Sequence, residues 1–234
     1  MTRPIVFAGP SIYGLDVDAG LELRPPAGCG DILRAVADGA PAIGLIDGLF
    51  ETQASVWHKE ILYALWIGVP VLGAASMGAL RAAECAAFGM VPIGGIVAEY
   101  LSGARTADSD VGVAHAPAEL GYAPLSVALV DAEATLAALA TEGRLTAGES
   151  AKLLTRAGAM HFKLRTWEAI LDGWPQELIE TAAAKPSRKQ GDAIALLTRM
   201  RRGRFKTPPH FELNLTGYLT GLAHDLGLEL EARR

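Results

Sequence analysis

Cysteine is scarce: the 234 residues contain two, Cys29 and Cys85. Two thiols cannot build a disulfide framework, and neither has other soft ligands at zinc spacing. Both therefore read as reduced, packed thiols, as expected in the cytoplasm. Aromatic side chains make up 6% and charged ones 20% of the chain, against 50% hydrophobic, which excludes global disorder and supplies enough apolar side chain for a sizeable core. Long apolar runs are missing too. Ile61 to Ala75 is broken by Gly68 and Pro70, short of the roughly 18 continuous residues a span requires, so no membrane association is expected. The start, MTRPIVFAGPS, lacks a charged region followed by a long apolar stretch and a small-residue cleavage site, which argues against secretion. Neither Gly-x-x-x-x-Gly-Lys-Ser/Thr nor Gly-x-Gly-x-x-Gly occurs, so no nucleotide-phosphate cradle is expected.

What is present is alternation. Short β-type runs at Pro4–Ala8, Ala42–Asp47 and Val69–Ala74 end in small or turn-forming residues. A fourth run, Leu21–Arg24, is pushed toward extended backbone by the following Pro25. Helical spacing covers Asp31–Asp38, Val56–Ile67 and Met77–Phe88, each stopped by a glycine (Gly39, Gly68, Gly89). This rhythm predicts an α/β fold whose mainly parallel sheet is flanked by helices. Past residue 115 the pattern becomes helical throughout, over Ser126–Thr141, Ala147–Leu171, Glu177–Ala184 and Gly191–Met200. The expected division is an α/β core over 1–118 and a helical region over 119–234 packed on it.

Loops at the carboxyl ends of parallel strands gather on one edge, where ligands bind. The strand assignment puts Gly9-Pro10-Ser11, Asp47-Gly48 and Ala75-Ser76 there. Ser76 sits in a sharp strand-to-helix turn among small residues. It suits either an exposed nucleophile, with the Met77 and Gly78 N–H groups as oxyanion donors, or a simple helix cap. His58, Lys59 and Glu60 open a helix capped by Ser55. The positive helix end would lower the Lys59 pKa and free a neutral amine as a base; the alternative is a solvated helix end, with His58 a structural hydrogen-bonding residue. Arg81 and Glu84 lie three apart on one helix face and suit a carboxylate site or a structural ion pair. Asp108, Asp110 and His115 lack a second His or Cys at ligand spacing, so no metal site is expected. Trp57 and Trp66 are both expected to be substantially buried. Lys185–His210 carries eight Lys/Arg and one Asp within a chain of net charge −5. That basic stretch holds one aromatic, Phe205, and so lacks the stacking side chains of a single-strand binder. It reads as a solvated helix face with a basic loop or as a dock for an acidic protein or peptide, with nucleic acid the weakest reading.

Together, Asp31-Ile-Leu-Arg-Ala, Ile46-Asp-Gly, Val56-Trp-His-Lys-Glu-Ile-Leu, Ala75-Ser-Met-Gly-Ala-Leu-Arg-Ala-Ala-Glu and Phe88-Gly-Met resemble the TfuA-like family. The similarity is dense from Val6 to about His115 and thins to Pro124-Leu-Ser and Lys189-x-x-Asp192-Ala beyond. Ser109-Asp110-Val111 is less acidic than the family's run. The resemblance implies a cytoplasmic partner of YcaO enzymes, which thioamidate a substrate peptide. It also implies a hydrolase of the thiocarboxylate on a ThiS-type sulfur-carrier protein, working through a Ser-Lys pair without metal or organic cofactor. Carried over, the serine is Ser76, and the lysine is taken as Lys59, on the same sheet edge, over Lys189 in the helical half. Asp47, His58, Arg81, Met77 and Gly78 complete the expected site. A non-catalytic adaptor holding YcaO, carrier and peptide together is the alternative.

Overall fold

The computed structural model describes residues 2–17, 19–51 and 53–230. Five short strands, β1 (Ile5–Phe7), β2 (Glu22–Arg24), β3 (Ile43–Leu45), β4 (Val71–Gly73) and β5 (Val91–Pro92), form one parallel sheet in the order β2-β1-β3-β4-β5. The strand order reverses between β1 and β3, which opens a crevice at their carboxyl ends. Helices α1 (Asp31–Ala37), α2 (His58–Trp66), α3 (Met77–Cys85) and α4 (Gly95–Ser102) lie in the α/β half, and α5 (Leu129–Thr141), α6 (Ala147–Ala159), α7 (Trp167–Ile170), α8 (Gln176–Ala183), α9 (Arg188–Arg201) and α10 (Gly217–Asp225) follow. The glycine stops behave as their sequence places imply: Gly39, Gly68 and Gly89 adopt φ of 74°, 95° and 97°, values that L side chains rarely take.

The three inner strands are buried on both faces, which is why they read as unbroken apolar runs. One face, with Ile5, Ile43, Leu45 and Val71, is covered by α1, α2 and α3 through Ile32, Ile61, Leu65 and Ala79. The opposite face, with Val6, Ala42, Leu72 and Ala74, is covered by Ala193, Leu196, Leu197 and Met200 of α9. Among the described residues the β1–β2 connection supplies only a 3-10 turn, Pro10–Ile12, on that side, and a helix from the second half closes the sheet. Gly44 permits the approach, because a Cβ there would stand 2.9 Å from Leu196 Cδ2. The helices α5–α8 share a separate core around Leu136, Leu139, Leu153 and Ile170, and α10 packs Leu219 and Ala223 against Leu33 and Tyr63.

Several details depart from the sequence expectation. The helix read over Ala147–Leu171 stops at Ala159, where Met160 turns extended. The cause is Arg165, which is buried and donates to the carbonyls of Ala157, Val127 and Met160. β5, α4 and α10 were not anticipated. β5 is two residues including a proline, α4 opens on Gly95 after Gly94 at φ 95°, and α10 carries Gly217 and Gly221, all poor propensity signals. The tryptophans do not depart: Trp66 is half-buried and Trp57, edge-on to Tyr218, is 36% exposed, so neither is more than half exposed.

Candidate active site

A cavity of about 240 Å³ opens over the carboxyl edge of the sheet. Pro10, Asp47, Gly48, Ser76 and Met77 line it, so the three strand-end loops do meet. Its far wall is Val111–His115, with Phe50 and Phe162 packed edge-to-face at 5.8 Å between ring centres.

Ser76 is held by a strained turn. Ala75 has φ 65° and the Ser76 N–H donates to the Ala74 carbonyl at 2.8 Å, a γ-turn of the rare positive-φ form. The turn is possible because α3 lies flush on the strand ends: a Cβ on Gly78 would sit 1.8 Å from the Leu45 oxygen, and one on Gly73 would sit 2.2 Å from the Gly78 oxygen. Ser76 occupies the cap position of α3, yet its hydroxyl makes no cap hydrogen bond. It points instead to the Val111 carbonyl at 3.4 Å.

The same carbonyl accepts a hydrogen bond from Lys189 Nζ at 2.7 Å. Hydroxyl and amine thus converge on one oxygen from residues 113 positions apart in sequence. Lys189 is 2% exposed. Burial holds its pKa below the usual lysine range, although the charges of Asp47 and Asp131 pull the other way. Its position is fixed from both sides of the α9 start. Asp131 accepts from the Ser187 hydroxyl at 3.0 Å and from the Lys189 N–H at 3.2 Å. One turn on, Asp192 caps α4 by accepting from the Gly95 and Ile96 N–H groups at 3.0 and 2.9 Å. Asp47 is buried at the end of β3, where it accepts from the N–H groups of Gly9 and Ser11 at 2.9 and 3.0 Å and from the Ser11 hydroxyl at 2.7 Å. It fixes the loop after β1 and sets a negative charge near the amine.

Over residues 47–166, just over half its length, the chain matches the model of the family described as TfuA-like protein. The chain belongs to the TfuA-like family. A comparison with curated proteins finds no match. Asp47, Ser76 and Val111 fall inside the family match and Lys189 falls outside it.

In this TfuA-like chain Lys59 is not brought to Ser76. The loop from Gly48 to Trp57 carries the start of α2 out to the start of α1. There Glu60 accepts from the N–H groups of Trp57 and Gly30 at 3.0 and 2.8 Å. Lys59 Nζ then reaches the Asn214 carbonyl at 3.5 Å and does not line the cavity. His58 is likewise turned away, its Nε2 2.7 Å from Glu84. Arg81 bonds Glu84, the Val56 carbonyl and the Ser55 hydroxyl, so this cluster ties α3 to the entry of α2. Ser55, read as the α2 cap, serves that arginine instead. Gly78 differs from expectation as well, because its N–H is spent on the Ile46 carbonyl at 3.1 Å. The Met77 and Gly48 N–H groups, both on residues lining the cavity, have no acceptor among the described residues. Asp108 and His115 line the cavity, whereas Asp110 pairs with Arg105 at 2.7 Å. Among the described residues, no group of three or more His, Cys, Asp and Glu gathers as a metal centre.

Proposed function

We propose that the protein is the accessory hydrolase of peptide backbone thioamidation, cleaving the C-terminal thiocarboxylate of a ThiS-type carrier to deliver sulfide to a YcaO enzyme. Family membership supports the wider thioamidation role. The observation that carries the hydrolase reading is the Ser76 hydroxyl, free of its helix and sharing the Val111 carbonyl with the buried Lys189 amine.

In this reading neutral Lys189 takes the proton as Ser76 Oγ attacks the thioacyl carbon, and the lowered pKa supplies that neutral form. The Met77 and Gly48 N–H groups receive the oxyanion, one from the residue after the nucleophile and one from a neighbouring strand-end loop. The carbon–sulfur bond breaks, Lys189 returns the proton to sulfur, and hydrosulfide leaves. Water then opens the acyl-serine ester, with Lys189 again as base, and releases the carrier carboxylate. Incubating the protein and thiocarboxylated carrier without YcaO tests this. Sulfide release with loss of the sulfur mass from the carrier is the expected result, and an intact thiocarboxylate would leave an adaptor.

A further inference from the structure

The wall of the cavity opposite Ser76 is a strand edge. Residues 114–116 pair with 123–125 through an isolated antiparallel bridge between His115 and Pro124. Its hydrogen bonds run from the Ala116 N–H to the Ala123 carbonyl and from the Leu125 N–H to the Ala114 carbonyl, both at 2.8 Å. The Ala114 N–H is taken by the Ser126 hydroxyl at 2.7 Å. In such a ladder successive residues point their main-chain groups to opposite sides. Ala114 and Ala116 therefore face the partner segment, and Val113 and His115 face away from it. No partner for the N–H or C=O of Val113 or His115 exists among the described residues, and both residues are half-buried. The cavity is lined by Gly112 through His115 and by nothing from 123–126, so the outer edge is the side turned to it. Across the cavity, Gly48 repeats the pattern. Its parallel bridge to Ala27 uses the Asp47 carbonyl and the Leu49 N–H, leaving the Gly48 main-chain groups on the far side.

We propose that the outer edge of Gly112–His115 is a docking strand for an extended C-terminal peptide tail, bound through its main chain and delivered to Val111, where Ser76 and Lys189 converge. Backbone groups without a protein partner along a half-buried cleft are open to a ligand's main chain, and an added strand is the ligand whose groups repeat at the required spacing. The Phe50–Phe162 pair supplies a flat apolar wall for the other side of the tail. A free amino acid or small metabolite would fill the cavity without using the edge. The proposal rests on the acyl-hydrolase reading only for what happens at the end of the tail.

The test is affinity, so it is independent of turnover. A six-residue peptide with a free C-terminal carboxylate and an N-terminal fluorophore is titrated with the full-length protein by anisotropy, beside analogues methylated at one amide nitrogen each. Strand addition predicts a period of two: methylation at alternate amides weakens binding about tenfold, the loss of one good hydrogen bond, and methylation at the amides between them changes it less than twofold. His115→Pro, which removes one outward N–H at an edge position that tolerates proline, should weaken the unmodified peptide by a similar factor. That alternation supports the docking strand even if no thiocarboxylate is ever cleaved, in which case the hydrolase reading alone fails. Absence of binding at millimolar peptide, or losses without alternation, would overturn it even if sulfide release is robust.

Discussion

At the scale of single residues, the proposed chemistry turns on a lysine whose pKa the fold lowers. Lys189 is buried against a carbonyl, and its pKa is lowered by that burial. The unfolded chain holds the same proton up to the ordinary lysine pKa of about 10.4. Between the lowered folded value and that ordinary one, the unfolded state binds more protons, so stability rises with pH. Below the lowered value both states are protonated and the dependence vanishes. Lys189→Met should flatten this slope, by up to about 1.36 kcal/mol per pH unit within the window, measured as denaturant midpoints across alkaline pH. An unchanged slope would mean that Lys189 is charged in the fold. Sulfide release should rise with pH through the same lowered value and then level off. The Ser76 turn was legible in the sequence because small residues flank it. Lys189 stands there only as the alternative to Lys59, since its contact with Val111 spans 78 positions and only folding of α9 onto the sheet creates it. Lys59 looked better because sequence shows that α2 follows β3, but not how far the loop between them carries its first turn.

At the scale of elements, strands and helix stops were legible wherever local chemistry decides them: apolar runs for β1, β3 and β4, glycines after α1 and α2, and Pro25 after β2. What stayed hidden depends on distant partners. The break after α6 is one such case, set by the buried Arg165 guanidinium and its three carbonyl acceptors. Burial lowers the Arg165 pKa, partly countered by Asp110, and the charge is tolerated because those carbonyls solvate it. Arg165→Met would leave the Val127 and Met160 carbonyls without donors, at about 1–3 kcal/mol each if they stay dry, while the Ala157 carbonyl keeps the Met160 N–H. A loss of several kcal/mol in urea unfolding is therefore expected, with the α6–α8 amides losing exchange protection first. A loss below 1 kcal/mol would show that water replaces the guanidinium. The loop bearing Val111 is fixed in a related way, because Arg105 joins Glu99 of α4, Asp110 and Glu133 of α5.

At the scale of the whole molecule, the basic stretch of the sequence is divided by folding. Lys185 pairs with Glu142, Arg188 with Glu99, and Lys189 enters the site. Arg199, Arg202 and Arg204 gather around one shallow surface hollow, with Arg199 5.9 Å from the Phe205 ring centre. Reversing these three to Glu should weaken binding of the carrier or of YcaO, and more so at low salt, with the fold intact. Unchanged affinity for both partners would remove this surface from the account. α9 thus joins the two halves of the chain: its apolar face closes the sheet and its first turn brings the Lys189 amine to the Val111 carbonyl that Ser76 also contacts. The most direct test of that arrangement is sulfide release from thiocarboxylated carrier by Lys189→Arg beside Lys59→Arg. Arginine carries a fixed charge and cannot give up its proton at accessible pH. The account predicts that Lys189→Arg loses release by at least about 100-fold, in line with the worth of general base catalysis, while Lys59→Arg stays near wild type. Full release by Lys189→Arg would contradict it.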